Sequence, residues 1–208
     1  MKFPIISAAA AIALSVSATA TPITTLPPQP VGAGGDVNAV FVFSNADDLD
    51  VSWKSAPPPP QLMFCNHTQG TCPAAAAGDT VGFGVVGNGV PLVFQLNDNS
   101  PGEVATYFSN ATDSVDHDYH AWITQNYSDF GLGAVPTAAA NAIAGFTGAV
   151  WYVGWEDRRN FDYDYNDLVF ALVISQPQHN PGIPEPLTLS LVGMGLLGAF
   201  GLRRVKKT

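Results

Sequence analysis

Residues 168–174 read Leu-Val-Phe-Ala-Leu-Val-Ile, an unbroken apolar run that follows Asp167. Short apolar runs rich in branched side chains and bounded by polar residues are typical of strands covered on both faces. This run therefore predicts a central strand of a sheet. Ala149–Trp155, just upstream, is the second strong strand signal, because it is rich in Val, Trp and Tyr.

Working outward, further short apolar runs lie between turn residues. Leu49–Trp53 alternates apolar and polar side chains, as expected of a strand with one wet face. The other predicted strands are Ala39–Phe43, Leu62–Cys65, Thr80–Val86, Leu92–Leu96, Val104–Phe108 and Tyr119–Thr124. One or two helical turns are expected at Thr137–Ala144. Nine short strands without a long amphipathic helix favour an all-β domain, a β-sandwich or jelly roll.

The N-terminus has the pattern of a secretory signal. Lys2 is followed by the apolar stretch Ile5–Val16 and by the small residues Ala18-Thr19-Ala20. A positively charged N-terminal region, a short apolar core and a cleavage site of small residues occur in this order in signal peptides. The stretch is too short for a membrane span of roughly 20 residues. We therefore expect residues 1–20 to be a signal peptide that is cleaved before Thr21.

The C-terminus has three parts. Pro184-Glu185-Pro186 precedes the uncharged apolar stretch Leu187–Leu202, and the basic cluster that begins with Arg203 and Arg204 follows it. An apolar segment that ends in cations can stop in a membrane with the cations in the cytoplasm. An ordinary tail anchor is one interpretation of this pattern.

The same three parts resemble the PEP-CTERM sorting signal of Gram-negative bacteria. The resemblance implies that an exosortase recognises residues 184–208 as a transmembrane helix and removes them at the inner membrane. It also implies a cell-surface or extracellular destination, in the company of exopolysaccharide. The expected organisation is a signal peptide at 1–20, a flexible leader at 21–35, a β-domain at 36–176, a linker at 177–183 and this sorting signal.

Without the two terminal segments the chain is strongly acidic. Residues 21–184 contain three basic and sixteen acidic residues, a net charge near −13. Such a surface repels nucleic acid and suits divalent cations. Cys65 and Cys72 are the only cysteines, and an exported chain with this spacing predicts one disulfide.

The most informative segment, the acidic hairpin, runs from Trp151 to Phe170. It places five carboxylates and two asparagine amides between two apolar strands. Two like charges about 5 Å apart cost near 1 kcal/mol even in water. A dication would offset this repulsion, and Ca²⁺ takes six to eight such oxygen ligands. The predicted Ca²⁺ ligands are Glu156, Asp157, Asp162, Asp164, Asn166 and Asp167.

The acidic hairpin also resembles a β-domain found in secreted bacterial proteins, often with PEP-CTERM tails. Gly154-Trp-Glu-Asp157 and Asp162-Tyr-Asp-Tyr-Asn-Asp167 carry this resemblance. The family's loop is usually glycine-rich, whereas this chain has Arg158 and Arg159 there. Two interpretations stay open beside Ca²⁺ binding. The arginines could pair with the carboxylates in a structural corner, or Glu156 could serve catalysis in an acidic cluster that looks solvated.

Enzyme motifs are missing from the sequence. It contains no Gly-x-Ser-x-Gly elbow, His-Glu-x-x-His pair or phosphate loop. His117 and His120 beside Asp118 could bind a transition metal, but a solvated loop is the plainer interpretation. We therefore expect a non-enzymatic envelope or matrix protein. The alternatives are a carbohydrate-binding module that uses tryptophans and, third, an enzyme acting on polysaccharide.

Overall fold

The computed structural model of the protein describes residues 21–46, 48–55, 59–68, 72–102, 104–159 and 162–177. The expected signal peptide and the expected sorting signal lie outside these ranges. Of the expected linker, only residue 177 lies inside them. Within the described ranges, no helix is both long enough and apolar enough to cross a membrane.

The described residues form nine strands in two antiparallel sheets and one short α-helix, so the prediction of an all-β domain is confirmed. The strands are β1 (Asp36–Ser44), β2 (Leu49–Trp53), β3 (Gln61–Cys65), β4 (Thr80–Val85), β5 (Phe94–Asp98), β6 (Ala105–Phe108), β7 (Ala121–Thr124), β8 (Ala149–Trp155) and β9 (Leu168–Ile174). Helix α1 spans Thr137–Ala144, and a 3₁₀ helix spans Tyr127–Phe130. The first sheet has the order β4-β1-β9-β8-β7, and the second has the order β3-β2-β5-β6.

Strand β9 is central in the first sheet, and all seven of its residues are buried. One face of β9 packs against the second sheet, where the Phe170 and Phe94 rings meet edge to face at 5.1 Å. On the other face, Val169 and Ala171 belong to a second apolar cluster with Ala139 of α1. Both faces are therefore covered, which explains why the run has no polar alternation.

The segment 21–35 is docked onto the domain, although the sequence predicts a loose leader. Ile23 forms an isolated β-bridge with Tyr119, and its N–H donates to the Tyr165 hydroxyl at 2.7 Å. Farther along, the Gln29 side chain donates to the Ser109 carbonyl at 2.8 Å. Because proline and glycine occur in ordered extended segments as well as in loops, composition alone did not reveal these contacts.

Cys65 and Cys72 form the disulfide that their spacing predicts, with their Cα atoms 6.2 Å apart. Cys65 is the last residue of β3, which is an edge strand of the second sheet. The disulfide therefore holds the following connection against the end of an edge strand.

Candidate metal centre

The ends of β8 and β9 position the acidic residues. These strands pair from Ala149↔Ile174 to Trp155↔Leu168, and the acidic connection begins directly after that last pair. The Glu156 N–H donates to the His120 carbonyl at 2.9 Å, and the Asp167 N–H donates to the Trp155 carbonyl at 3.1 Å. Backbone hydrogen bonds thus fix both ends of the acidic connection.

Two tyrosines hold the loop in an unusual backbone conformation. Tyr163 and Tyr165 have φ angles of 55° and 53°, a region that bulky side chains rarely adopt. Tyr165 is fully buried, and its hydroxyl accepts from the Ile23 N–H and donates to the Tyr119 carbonyl at 3.2 Å. Such strain costs about 1–3 kcal/mol and persists where the surroundings over-determine it, often at ligand clamps.

Gly154 allows the loop to lie against β8. A Cβ atom at this position would overlap the carbonyl oxygen of Tyr165 and the ring of Phe130. The glycine is therefore required by a close approach of the loop backbone, since no larger residue leaves space for Tyr165.

The folded loop brings the five predicted carboxylates into two overlapping groups. Carboxylate oxygens of Glu156, Asp162 and Asp164, the outer triad, lie within 4.8 Å of one another. The inner triad, Glu156, Asp157 and Asp167, meets the same limit. Glu156 belongs to both. Oxygen donors at this spacing suit a hard cation such as Ca²⁺.

Glu156 is almost completely buried, at 1% exposure, and lacks full hydrogen bonding. Among the described residues, its Oε2 atom has no hydrogen-bond partner. Its Oε1 atom accepts only a long bond, 3.4 Å, from the Arg158 N–H. Burial, followed by the charges of Asp167 and Asp162, raises the pKa of Glu156 to about 9. The sequence analysis expected a solvated cluster without an insulated acid, and the burial of Glu156 corrects that expectation.

The neighbouring carboxylates share this environment. Asp157 is 5% exposed, and its N–H donates to Asp167 Oδ2 at 2.8 Å. Burial and the charge of Asp167 raise the pKa of Asp157 to about 7. Burial is also the main cause of the raised pKa values of Asp164 and Asp167. The cluster thus strongly disfavours full ionisation in the absence of a cation.

Of the two arginines, only Arg158 pairs with a carboxylate of the cluster, so the salt-bridged alternative is met in part. Arg159 pairs with Asp113, outside both triads. This pairing holds the pKa of Asp113 below its usual range, although partial burial acts in the opposite direction. Arg158 lies beside the cluster, with its Nε atom 3.8 Å from Asp157 Oδ1. Neither guanidinium provides a partner for Glu156 Oε2.

A polar cavity of about 180 Å³ is lined by four of the five carboxylates, Asp157, Asp162, Asp164 and Asp167, but not by Glu156. Asn166 lines it, together with Asn45 and Ala46 from the β1–β2 connection. The Asn166 side-chain amide donates a long bond, 3.5 Å, to the Phe130 carbonyl. The structure thus places Asn166 at the cavity beside the two triads, while its side-chain N–H faces away to Phe130.

His120 contacts the backbone of the candidate metal centre at Glu156. Its ring is buried, contacts the Glu156 carbonyl through Nδ1 at 2.9 Å, and lies 3.1 Å from Asp116 Oδ2 through Nε2. The Tyr107 ring stacks on it at 3.8 Å. His117, by contrast, is exposed. The sequence analysis preferred a solvated loop to a transition-metal site for His117 and His120, and the burial of His120 corrects that interpretation. Its contact with the β8 end depends on long-range pairing, which the sequence did not reveal.

Asp98, at the end of β5, is a buried carboxylate that the sequence analysis missed. It is 1% exposed, and its Oδ1 accepts from the Ser100 N–H at 2.8 Å. Its Oδ2 has no partner among the described residues. The charge of Asp98 contributes to the raised pKa of Asp157, which links the second sheet to the centre. The sequence signal was only an aspartate shortly after the predicted strand Leu92–Leu96, and the observed strand extends to Asp98.

One known protein family is similar to part of the chain. Residues 76–175 are similar to the family described as Domain of unknown function (DUF4114). The DUF4114 match covers just under half of the chain, from the connection before β4 to the residue after β9. It therefore includes the whole acidic hairpin and His120. No curated protein and no solved structure matches the chain.

Proposed function

We propose that the protein is an exported, non-enzymatic envelope or matrix protein whose β-domain is stabilised by Ca²⁺ at the acidic hairpin. Glu156 is the observation that carries the proposal. A buried carboxylate with an unpartnered oxygen is costly unless a cation or proton satisfies it. Four further carboxylates surround it, and all the donors are oxygen atoms, which Ca²⁺ prefers.

The proposed destination depends on the sequence of the two ends. The signal-peptide pattern at 1–20 supports export, and the resemblance of 184–208 to PEP-CTERM tails supports recognition by an exosortase. Exopolysaccharide is the surrounding that this resemblance implies. Ca²⁺ also suits an extracellular site, because weak extracellular modules bind it with Kd values of about 10⁻⁴–10⁻³ M.

Within the all-β class, we propose a β-sandwich. One apolar core contains residues from both sheets, including Leu96 of β5 and Leu172 of β9. Two sheets that share a core in this way follow the packing of sandwich domains. Such a rigid scaffold suits a structural role.

An enzyme acting on polysaccharide is the second candidate, because Glu156 has the raised pKa of a general acid. The cavity argues against it. At about 180 Å³ it is smaller than the roughly 300–1,000 Å³ of most small-molecule sites. Hydrolytic activity that disappears in Glu156→Gln would establish the enzyme instead.

Carbohydrate binding through tryptophans has weaker support. Trp155 is fully buried, and Trp122 packs edge to face against Phe130 and Tyr165. Sugar-stacking platforms need an exposed ring face. A glycan array with no selective hit is the result expected of a scaffold.

Thermal unfolding in EDTA, Ca²⁺ and Mg²⁺ tests the proposed function. A ligand at a hundredfold excess over its Kd stabilises the folded state by about 2.7 kcal/mol, which raises Tm by about 5–10 °C. We expect this rise with Ca²⁺ alone and its loss in Asp162→Asn/Asp164→Asn.

Asp36→Asn is the matched control. It removes an exposed carboxylate at the other end of the first sheet and should keep the Ca²⁺ response. An unchanged Tm of the parent protein in Ca²⁺ would contradict the proposal and favour a structural corner.

A further inference from the structure

We infer that the acidic hairpin binds two Ca²⁺ ions per chain, with the Glu156 carboxylate bridging them. This inference rests on the proposed function and deepens it. It concerns the number of ions and the residues that hold each one.

The geometry divides the carboxylates into two sets. Ca²⁺–oxygen distances of about 2.3–2.6 Å place oxygens on opposite sides of one ion about 4.6–5.2 Å apart. Oxygens that all lie within 4.8 Å of one another can therefore share one ion. Among the described residues, the outer and inner triads each satisfy this limit, but no single group contains all five carboxylates.

Glu156 has the properties that a bridging ligand needs. Glu156 is almost completely buried, at 1% exposure, and its carboxylate belongs to both triads. Oε2 has no partner among the described residues, and Oε1 is held only by the 3.4 Å contact with the Arg158 N–H. A cation would therefore displace no partner at Oε2 and only this long contact at Oε1. The missing partner of this buried oxygen is an observation separate from the number of acidic residues in the hairpin.

The charge of the site also favours two ions. Five ionised carboxylates carry five negative charges, of which one Ca²⁺ would leave three. A second Ca²⁺ leaves one, and the Arg158 guanidinium at the cavity wall has the charge that offsets it. Because like charges in a buried site repel much more strongly than in water, the doubly occupied state is the favoured one.

The inner triad provides the more enclosed position. Glu156 and Asp157 are buried and Asp167 is partly buried, whereas Asp162 of the outer triad is exposed. Exposure to water weakens electrostatic binding. We therefore expect the ions to bind in two steps, the outer one more weakly.

Counting the bound ions tests the inference. The full chain, purified in a non-ionic detergent and stripped with EDTA, is titrated with CaCl₂ by calorimetry and equilibrium dialysis. We expect two ions per chain for the parent protein and for the Asp36→Asn control. Asp162→Asn/Asp164→Asn should retain one ion, and Glu156→Gln should weaken both steps at least tenfold.

The possible counts separate this inference from the proposed function. One ion per chain in the parent protein overturns the two-ion centre and leaves the Ca²⁺ function intact. No bound ion overturns both. Because the decisive count is made on the parent protein, it does not depend on the folding of any variant. Two ions that are both retained in Asp162→Asn/Asp164→Asn would also contradict the assignment.

Discussion

At the residue scale, burial and neighbouring charges change how Glu156 in the acidic hairpin binds a proton. Its burial and its neighbours raise its pKa to about 9, and Asp157 beside it has a pKa of about 7. In the ion-free protein the folded state therefore holds protons that the unfolded chain releases. A bound cation replaces these protons, so metal binding and proton binding compete at the same oxygens.

The pH dependence of stability without metal follows from these values. Between the usual carboxyl pKa of 4.5 and the raised value of about 9, the folded state binds more protons than the unfolded state. Stability therefore falls as pH rises through this window, by up to about 1.4 kcal/mol per pH unit for each affected carboxyl. We expect Tm in EDTA to be lower at pH 8.5 than at pH 5.5.

Glu156→Gln provides the control for this measurement. The amide has nearly the same shape but no charge, so the variant should lose less stability over the same pH range. In Ca²⁺ at pH 8 the parent protein should have a higher Tm than Glu156→Gln, because the variant lacks the carboxylate that binds the ion. A Tm of the parent in EDTA that rises steadily from pH 5.5 to 8.5 would contradict the assigned burial of Glu156.

At the scale of elements, the acidic hairpin depends on contacts from three directions. Strand β8 passes beneath the loop at Gly154, the docked leader bonds to Tyr165 through Ile23, and His120 contacts the Glu156 carbonyl. The contacts of Ile23 with Tyr165 and of His120 with Glu156 join residues that are far apart in sequence, whereas Gly154 and Tyr165 both belong to the hairpin. Together they hold the strained backbone at Tyr165, which brings Asp164 towards Glu156.

Gly154→Ala tests the close approach of loop and strand. The added methyl group would overlap the Tyr165 carbonyl and the Phe130 ring, so the loop must move. Overpacking of this kind costs about 1–3 kcal/mol. We expect a lower Tm, together with weaker Ca²⁺ binding in a calorimetric titration.

Gly82→Ala on the edge strand β4 is the matched control. Its new methyl group would meet only the Asn38 side-chain oxygen, at 3.3 Å, which can shift. This variant should keep the Ca²⁺ affinity of the parent. Equal losses of affinity in the two variants would show that Gly154 has no specific role at the site.

At the scale of the whole molecule, the acidic domain and the basic tail have opposite electrostatic tendencies. Residues 21–184 carry a net charge near −13, whereas residues 203–208 contain two Arg and two Lys. An anionic domain is repelled by anionic headgroups, and a basic end is attracted to them. This asymmetry is consistent with a tail that serves sorting and a domain that acts away from the membrane.

The sorting proposal predicts that processing depends on the Pro184-Glu185-Pro186 motif. Replacing all three residues by alanine should leave an unprocessed, membrane-associated chain in a host that makes an exosortase. Immunoblots of membrane and extracellular fractions would measure this. Pro181→Ala, upstream of the motif, is the control, and equal processing of both variants would contradict recognition of the motif.

The sequence by itself determined the all-β class, the central position of β9 and the disulfide. These features depend on local periodicity and spacing, which a chain carries with it before it folds. It also determined which carboxylates cluster, because they lie within a dozen residues between two recognisable strands.

Only the tertiary structure decided how those carboxylates are arranged. In the folded chain Glu156 is buried, Arg159 forms an ion pair with Asp113, and Ile23 of the segment 21–35 forms a hydrogen bond with Tyr165. The carboxylates divide into two triads, and Tyr163 and Tyr165 between them have a left-handed backbone that local propensity disfavours. Burial and strain are properties of packing between distant segments, so no pattern within the acidic hairpin could specify them.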